Sequence, residues 1–214
     1  MSSVGARTRL GVLVSGRGRG TTLQAFLDAS AAGALPAEVV VVVSTALGTP
    51  ALDRARAADV AALEFDARGI PDGNPLDERL LAAIGPHRPD LVCMAGFLRK
   101  LGPRFYAAYR GRVMNSHPAL IPAFCGQGMY GHHVHEAVVA YGVKVSGCTI
   151  HFADEEYDAG PIIIQKCVPV HDDDTPDTLA ARILPEEHRA YLQAIRLFAE
   201  GRLSIEGRKV NILS

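Results

Sequence analysis

Short runs of apolar residues recur along the chain, each bounded by glycine, proline or charged residues. They are too short for buried helices and rich in β-branched residues, which predicts buried strands. The predicted strands are Leu10–Val14, Val39–Val43, Leu91–Ala95, Val113–Asn115, Val145–Ile150 and Pro161–Val168. Between them, apolar positions repeat at the helical period of about 3.6 residues. The predicted helices are Thr22–Ala32, Ala51–Ala58, Leu76–Gly85, Pro103–Tyr109, His132–Tyr141 and a last one near 175–201.

Strands that alternate with helices indicate right-handed βαβ crossovers and a mostly parallel sheet. The run of five valines at 39–43 is apolar on both faces, as a central parallel strand requires. If the fifth of these strands extends to residue 152, only the segment ADEEYDAG separates 145–152 from 161–168, which favours an antiparallel C-terminal section. The predicted fold class is therefore α/β, a Rossmann-like three-layer fold. Because no linker or repeat interrupts the pattern, we expect one domain over residues 1–214.

Composition and charge exclude several classes of partner. Lys and Arg number 22 against 23 Asp and Glu, a net charge of −1, so a nucleic-acid partner is not expected. No apolar run approaches the roughly 18 residues of a membrane span, and none at the start resembles a signal peptide. The four cysteines lack C-x-x-C spacing. We therefore expect buried free thiols and a cytoplasmic protein.

The first strand leads directly into the glycine-rich segment SGRGRGTTLQAF. Gly16, Gly18 and Gly20 permit tight backbone angles, and the Thr21–Thr22 pair is suited to cap the next helix, whose N-terminus favours a phosphate. The segment is neither a Walker A motif nor a complete G-x-G-x-x-G, and the second strand ends without a ribose-binding acid. It predicts a monophosphate site, with an ordinary glycine-rich turn as the alternative.

The segment MNSHPALIPAF places Asn115 and His117 two residues apart at a strand end. In an extended chain, both side chains point to the same side, where ligands bind in parallel sheets. Asp158 precedes Ala-Gly-Pro, a rigid turn, whereas the neighbouring acids of this segment read as solvated. A carboxylate beside an imidazole orients it for acid–base chemistry. These residues predict a catalytic group, although a structural histidine is the alternative for His117.

Three further histidines, His132, His133 and His135, lie in the segment GMYGHHVHEAV. His132 and His133 diverge on a helix, and no Glu or Cys completes a known zinc spacing. We expect no metal site and assign these histidines to packing at the edge of the site.

Taken in order, the segments SGRGRGTTLQA, AGFLRKLG, MNSHPALIPAF, HFADEEYDAGPII and EEHRAYLQAI resemble the folate-dependent formyltransferases, from about Arg9 to Leu203. The resemblance is closest to the members that formylate glycinamide ribonucleotide. It implies transfer of a formyl group from 10-formyltetrahydrofolate, as co-substrate, to the amine of that nucleotide in purine synthesis. It also implies an N-terminal phosphate-binding half at about 9–110 and a catalytic and folate half at about 111–204.

The resemblance also implies roles for individual residues. Asn115, His117 and Asp158 fall on the catalytic trio, and Glu187 on the acid that meets the glycinamide amine. Gly20, Thr21 and Thr22 fall on the phosphate-binding loop, whereas Leu98, Arg99, Lys100 and Leu101, together with Asn115, fall on the folate site. The implied partners are these two small molecules, with a monomer or homodimer as the assembly.

Some positions depart from the family pattern. The glycine-rich loop is two residues longer than usual, and Thr22 replaces an asparagine, so Arg17 and Arg19 either supply compensating cations or are solvated. Ala119 replaces a frequent serine. Three alternatives remain open: a methionyl-tRNA formyltransferase, a formyltetrahydrofolate deformylase and a non-catalytic nucleotide-binding protein.

Overall fold

The structure, a computed structural model, describes residues 7–16 and 18–214. The strands are β1 (Thr8–Val14), β2 (Ala37–Ser44), β3 (Ala61–Glu64), β4 (Leu91–Met94), β5 (Val113–His117), β6 (Val145–Phe152), β7 (Ile162–Pro169), β8 (Leu203–Glu206) and β9 (Lys209–Ile212). The helices are α1 (Thr21–Ala31), α2 (Pro50–Ala57), α3 (Asn74–Ile84), α4 (Pro103–Ala108), α5 (His132–Tyr141) and α6 (Pro176–Ala199). A 3-10 turn at Gly85–His87 follows α3.

All nine strands of the described residues belong to one sheet, in the order β3-β2-β1-β4-β5-β6-β7-β9-β8. The first five in this order pair in parallel. β6 then pairs antiparallel with both β5 and β7. The predicted Rossmann-like α/β fold, with its antiparallel C-terminal section, is confirmed.

The helices cover both faces of the sheet and bury a separate core on each. On one face, α1, α2, α5 and α6 bury residues such as Phe26, Leu52, Val134 and Tyr191. On the other face, α3 and α4 bury residues such as Leu80 and Phe105. Helices therefore flank the carboxyl ends of the parallel strands on both sides of the sheet.

Helix α6 is anchored to the ends of β4 and β5 by Tyr191. The ring is fully buried and packs edge-on against Phe26, with the centroids 4.9 Å apart. Its hydroxyl lies 3.2 Å from the carbonyl of Met94 and 2.8 Å from that of Met114. Residues one helical turn before Tyr191 are thereby held beside the end of β5.

Three strands were not predicted from the pattern: β3, β8 and β9. Each has only four residues, and their exposed positions leave no continuous apolar run. The prediction of free thiols is confirmed, but the prediction that the cysteines are buried is right for only two of the four. Cys93 and Cys148 are buried, whereas Cys125 is half-buried and Cys167 is exposed.

Among the described residues, no helix combines the length and the apolar character needed to cross a bilayer.

Candidate active site

The carboxyl ends of β1 and β4 lie side by side where the strand order reverses, the usual position of a ligand crevice in such sheets. Ser15 follows β1 directly, and its Oγ accepts a hydrogen bond from the N–H of Leu98 at 2.7 Å. The N–H of Ser15 donates to the carbonyl of Gly96 at 3.3 Å. The glycine-rich loop is therefore tied across the crevice to the segment that follows β4.

The glycine-rich loop needs glycine at two of its three glycine positions. Gly16 has φ 80° and Gly20 has φ 72°, whereas Gly18 lies outside the left-handed region. A Cβ on Gly20 would lie 2.9 Å from the Cα of Ala51, but one on Gly18 would meet open space. The turn therefore depends on the positive φ angles that glycine permits at Gly16 and Gly20, and not on Gly18.

The expected cap from the threonine pair is wrong. Gly20 occupies the capping position of α1, and no side chain accepts a hydrogen bond there. Thr21 and Thr22 therefore lie within the first helical turn. The N–H of Thr22 bonds to no acceptor among the described residues, as is usual for a first turn that faces solvent or a ligand.

Arg54 of α2 fixes the loop from the side. Its Nε donates to the carbonyl of Arg19 at 2.9 Å, and its Nη1 donates to Gln24 Oε1 at 2.8 Å. Arg17, the other candidate cation of the loop, lies outside the described residues.

His117 lies at the end of β5 and is buried, with 3% of its surface exposed. Its Nε2 lies 2.7 Å from the carbonyl of Phe124, so Nε2 carries a hydrogen. Its Nδ1 lies 3.5 Å from Asp158 Oδ2, and the same Asp158 oxygen accepts the N–H of Gly126 at 2.9 Å. Asp158 itself has φ 53° and sits in a turn, where it is held as the sequence predicted.

His151 of β6, a residue not predicted from the sequence, orients Asn115. The two residues are direct partners in the antiparallel pair of β5 and β6, and Asn115 Nδ2 lies 3.3 Å from His151 Nε2. His151 Nδ1 lies 3.0 Å from the carbonyl of Phe152, so Nδ1 carries the hydrogen and Nε2 accepts one from the amide. Burial lowers the pKa of His151 and keeps it neutral in this role.

The carboxylate of Asp158 lies beside both imidazoles of the cluster. Its Oδ2 lies 3.5 Å from His117 Nδ1 and its Oδ1 lies 3.7 Å from His151 Nε2, so Asp158 lies between His117 and the histidine that contacts Asn115. The signal for His151 in the sequence was its place at the end of a strand, but the register opposite Asn115 comes only from the paired sheet.

Glu187 lies on α6, one turn before Tyr191, and faces the end of β5 from the other side. Its Oε1 accepts a hydrogen bond from Ser116 Oγ at 2.7 Å. Although the residue as a whole is half-buried, burial of its carboxyl raises the pKa of Glu187, and the bond from Ser116 opposes this.

In the predicted folate segment, some polar groups are hydrogen-bonded within the protein and others are not. The N–H of Leu98 is already bonded to Ser15, so it is not available to a ligand. Arg99 binds Asp72 at 2.6 Å and the carbonyls of Ala67 and Ile70 at 3.1 and 2.5 Å, which ties the segment to the loop after β3. The N–H groups of 99–101 have no acceptor among the described residues.

Two cavities open beside this segment. An inner one of about 40 Å³ is lined on one side by Leu101 and Tyr106 and on the other by Asn115, His151 and Asp158. An outer one of about 490 Å³ is lined by Asp72, Lys100, Gly126, Gln127, Glu156 and Tyr157. The outer cavity has the size of a small-molecule site, whereas the inner one is smaller than the roughly 300 Å³ of such sites.

The three histidines of α5 have separate environments. His132 and His133 are exposed, and both lie near Glu136, at 3.6 and 3.1 Å. His135 is buried, and its Nδ1 has no hydrogen-bond partner. Among the described residues, no group of three potential metal ligands is present.

Residues 8–195 match the family model described as formyl transferase. The chain belongs to this formyl transferase family. The resemblance of the sequence segments to this family is therefore confirmed.

Relatives and solved structures that cover nearly the whole chain carry names for one reaction. The chain is 43% identical to a phosphoribosylglycinamide formyltransferase of Mycobacterium tuberculosis, over 97% of this chain and 95% of the relative. The crystal structure of glycinamide ribonucleotide transformylase 1 from Symbiobacterium toebii superposes with a TM-score of 0.91 and 45% identity, covering 98% of this chain and 96% of that one.

Two other similarities concern longer proteins. The trifunctional purine biosynthetic protein adenosine-3 of Drosophila melanogaster is 38% identical over 91% of this chain, which spans only 14% of that relative. A formyltetrahydrofolate deformylase structure from Pseudomonas syringae has a TM-score of 0.85, covering 99% of this chain and 67% of that one, but at 22% identity it shows the fold alone.

Proposed function

We propose that this chain transfers a formyl group from 10-formyltetrahydrofolate to the primary amine of glycinamide ribonucleotide, in de novo purine synthesis. The observation that carries the proposal is the division of the site by β5. Asn115 faces the inner cavity beside the predicted folate segment, whereas Ser116, next in the strand, contacts Glu187 on the α6 side. Side chains alternate across a strand, so β5 separates a donor side from an acceptor side.

On the acceptor side, α1 and α6 supply the expected contacts. The N-terminus of α1 follows the glycine-rich loop and is suited to the phosphate of the nucleotide, with Gly20, Thr21 and Thr22 as its ligands. The carboxylate of Glu187 accepts a hydrogen bond from the glycinamide amine. α1 and α6 pack on the same face of the sheet, so one elongated nucleotide can reach both.

On the donor side, the pterin occupies the inner cavity, bound by backbone groups of Leu98–Leu101, and the rest of the folate extends into the outer cavity. Leu98 contributes its carbonyl only, because its N–H is bonded to Ser15. A pterin needs more than about 40 Å³, so the inner cavity has to widen when folate binds. The formyl carbon then lies beside Asn115.

The chemistry is attack of the amine nitrogen on the formyl carbon. The new C–N bond forms as the carbonyl π electrons move to oxygen, and the oxyanion accepts a hydrogen bond from the second N–H of the Asn115 amide. His117, when protonated, adds positive charge near this oxyanion. Asp158 takes the amine proton through a water, and the proton leaves with the tetrahydrofolate nitrogen when the C–N bond to folate breaks.

The two enzymatic alternatives use the same cluster and differ in the acceptor. For a deformylase, water would replace the amine, and Glu187 with its Ser116 contact would have no evident partner. For a tRNA formyltransferase, a basic surface is expected, whereas the chain carries a net charge of −1. The division into halves at about 9–110 and 111–204 and the assembly as monomer or homodimer stay predictions.

The experiment is a spectroscopic assay of tetrahydrofolate release from 10-formyltetrahydrofolate, with and without glycinamide ribonucleotide. Release that depends on the nucleotide is the expected result. Release without it would identify a deformylase, and release that requires methionyl-tRNA would identify the tRNA enzyme. No release with any acceptor would contradict all three activities.

A further inference from the structure

The amide of Asn115 and the imidazole of His117 have assigned roles on one face of β5, but the residue between them has none. Ser116 points to the opposite face, where its Oγ donates to Glu187 Oε1 at 2.7 Å. This distance is in the range of hydrogen bonds from a hydroxyl to an ionised carboxylate, which are about twice as strong as neutral ones.

Glu187 depends on this single contact. Among the described residues, no Lys, Arg or His nitrogen forms an ion pair with its carboxylate, and Oε1 accepts only the bond from Ser116. Its titratable neighbours are Cys148 of β6 and Tyr191 of its own helix, and both are buried. Burial raises the pKa of the Cys148 thiol to about 12 and that of Tyr191 well above its ordinary value, so both stay uncharged at neutral pH.

We infer that Ser116 is a positioning residue, whose hydroxyl holds the Glu187 carboxylate in place for the amine of the acceptor. This inference rests on the proposed function. A partly buried carboxylate without a cation loses part of its hydration, and hydrogen bonds from the protein offset this loss. Ser116 supplies that hydrogen bond from the same strand that carries Asn115, so one short strand sets the acceptor carboxylate and the donor amide relative to each other.

The inference predicts a defined response when the hydroxyl is lost. Burial raises the pKa of Glu187 and the bond from Ser116 lowers it, so removal of the hydroxyl raises this pKa further. Ser116→Ala should then lower kcat/KM for glycinamide ribonucleotide by roughly 10- to 100-fold, the usual range for a lost hydrogen bond to a charged group. The acid limb of its pH profile should move to higher pH, while KM for the folate stays within about twofold.

Two matched variants separate the hydroxyl from the shape of the side chain. Ser116→Thr keeps the hydroxyl and suits a strand, whereas Ser116→Val has the same shape without it. We expect Thr to restore most of the activity and Val to resemble Ala, with thermal melts of all three as the check on folding. In a Glu187→Gln background, Ser116→Ala should cost less than about twofold, because the two residues act through one contact.

Several outcomes would overturn the inference. They are a Ser116→Ala enzyme with an unchanged pH profile, an equal rise of KM for both substrates, Val that performs as well as Thr, or full additivity of the two substitutions. A wild type that turns over no glycinamide ribonucleotide would overturn the proposed function and this role with it. If the wild type formylates glycinamide ribonucleotide and Ser116→Ala does so equally well, only the role of Ser116 is overturned.

Discussion

Asn115 and Asp158 take their orientation from hydrogen bonds to His151 and to the N–H of Gly126. The neutral His151 imidazole receives one amide hydrogen of Asn115 and so leaves the other for a ligand. The N–H of Gly126 holds Asp158 Oδ2 at 2.9 Å, on the side that faces His117. Because these side chains are already oriented, they do not have to reorganise when charge develops in the transition state. Such preorganisation is a main source of electrostatic catalysis.

Asp158→Asn tests the carboxylate with a change of charge and little change of shape. Because the amide cannot take the amine proton, kcat should fall by roughly 10²–10⁴-fold, while KM for both substrates changes little. Steady-state kinetics at saturating folate measures this. Asp173→Asn, the same change at an exposed position, is the control and should match the wild type. Full activity of Asp158→Asn would remove this residue from the mechanism.

The glycine-rich loop and α1 act as one element, because the helix begins directly at the residue after Gly20. Gly20 has a left-handed backbone conformation and packs closely on α2. Hydrogen bonds of Arg54 and Ser15 hold the loop in place. The position of the helix N-terminus is therefore set by backbone geometry and neighbouring contacts, not by a capping side chain. A phosphate bound there would depend on that geometry.

Gly20→Ala tests this dependence. An L residue at φ 72° is strained by about 1–2 kcal/mol, and its Cβ would approach the Cα of Ala51 to 2.9 Å. The start of α1 should shift, and KM for glycinamide ribonucleotide should rise about tenfold or more, with a smaller change for the folate. Gly18→Ala is the matched control, because its Cβ meets nothing within 4 Å. Equal effects on both substrates, or equal effects of both variants, would contradict a phosphate role for this loop.

The molecule as a whole holds several imidazoles in the neutral form. Burial lowers the pKa of His135 to about 4 and also lowers the pKa of His151 and of His188. In the unfolded chain these histidines titrate near 6.5, so between about pH 6.5 and pH 4 the unfolded state binds more protons. Their contribution to stability is complete above pH 6.5 and is lost as the pH falls. The raised pKa of Glu187 acts in the opposite sense.

The free energy of unfolding should therefore fall from pH 7.5 to pH 5, by about 2 kcal/mol from His135 alone. Urea denaturation at the two pH values measures the loss. His135→Leu should recover this part, since it removes the titrating group and leaves no buried Nδ1 without a partner. His133→Leu, the same substitution at an exposed position on the same helix, should retain the loss that His135 causes. A wild type equally stable at both values would contradict the prediction.

Local pattern and residue type determined much of this protein without a structure. The buried strands β1, β2 and β4 read as apolar runs because both of their faces are covered, and the helices followed from their period. The turn at Asp158 could be predicted from the sequence because Ala-Gly-Pro restricts the backbone. The strands β3, β8 and β9 were not, because short strands with exposed positions owe their existence to pairing with a neighbour.

The tertiary structure alone decided which side chains meet. His151 lies 36 residues from Asn115 and Glu187 lies 71 from Ser116, and neither contact has a local signature. The register of β5 against β6 creates the first, and the docking of α6 through Tyr191 creates the second. The capping of α1 was decided in the same way, since Gly20 packed on Ala51 overrode the preference of threonine for the cap. Propensity acts between neighbours in sequence, whereas these contacts depend on how separate elements pack.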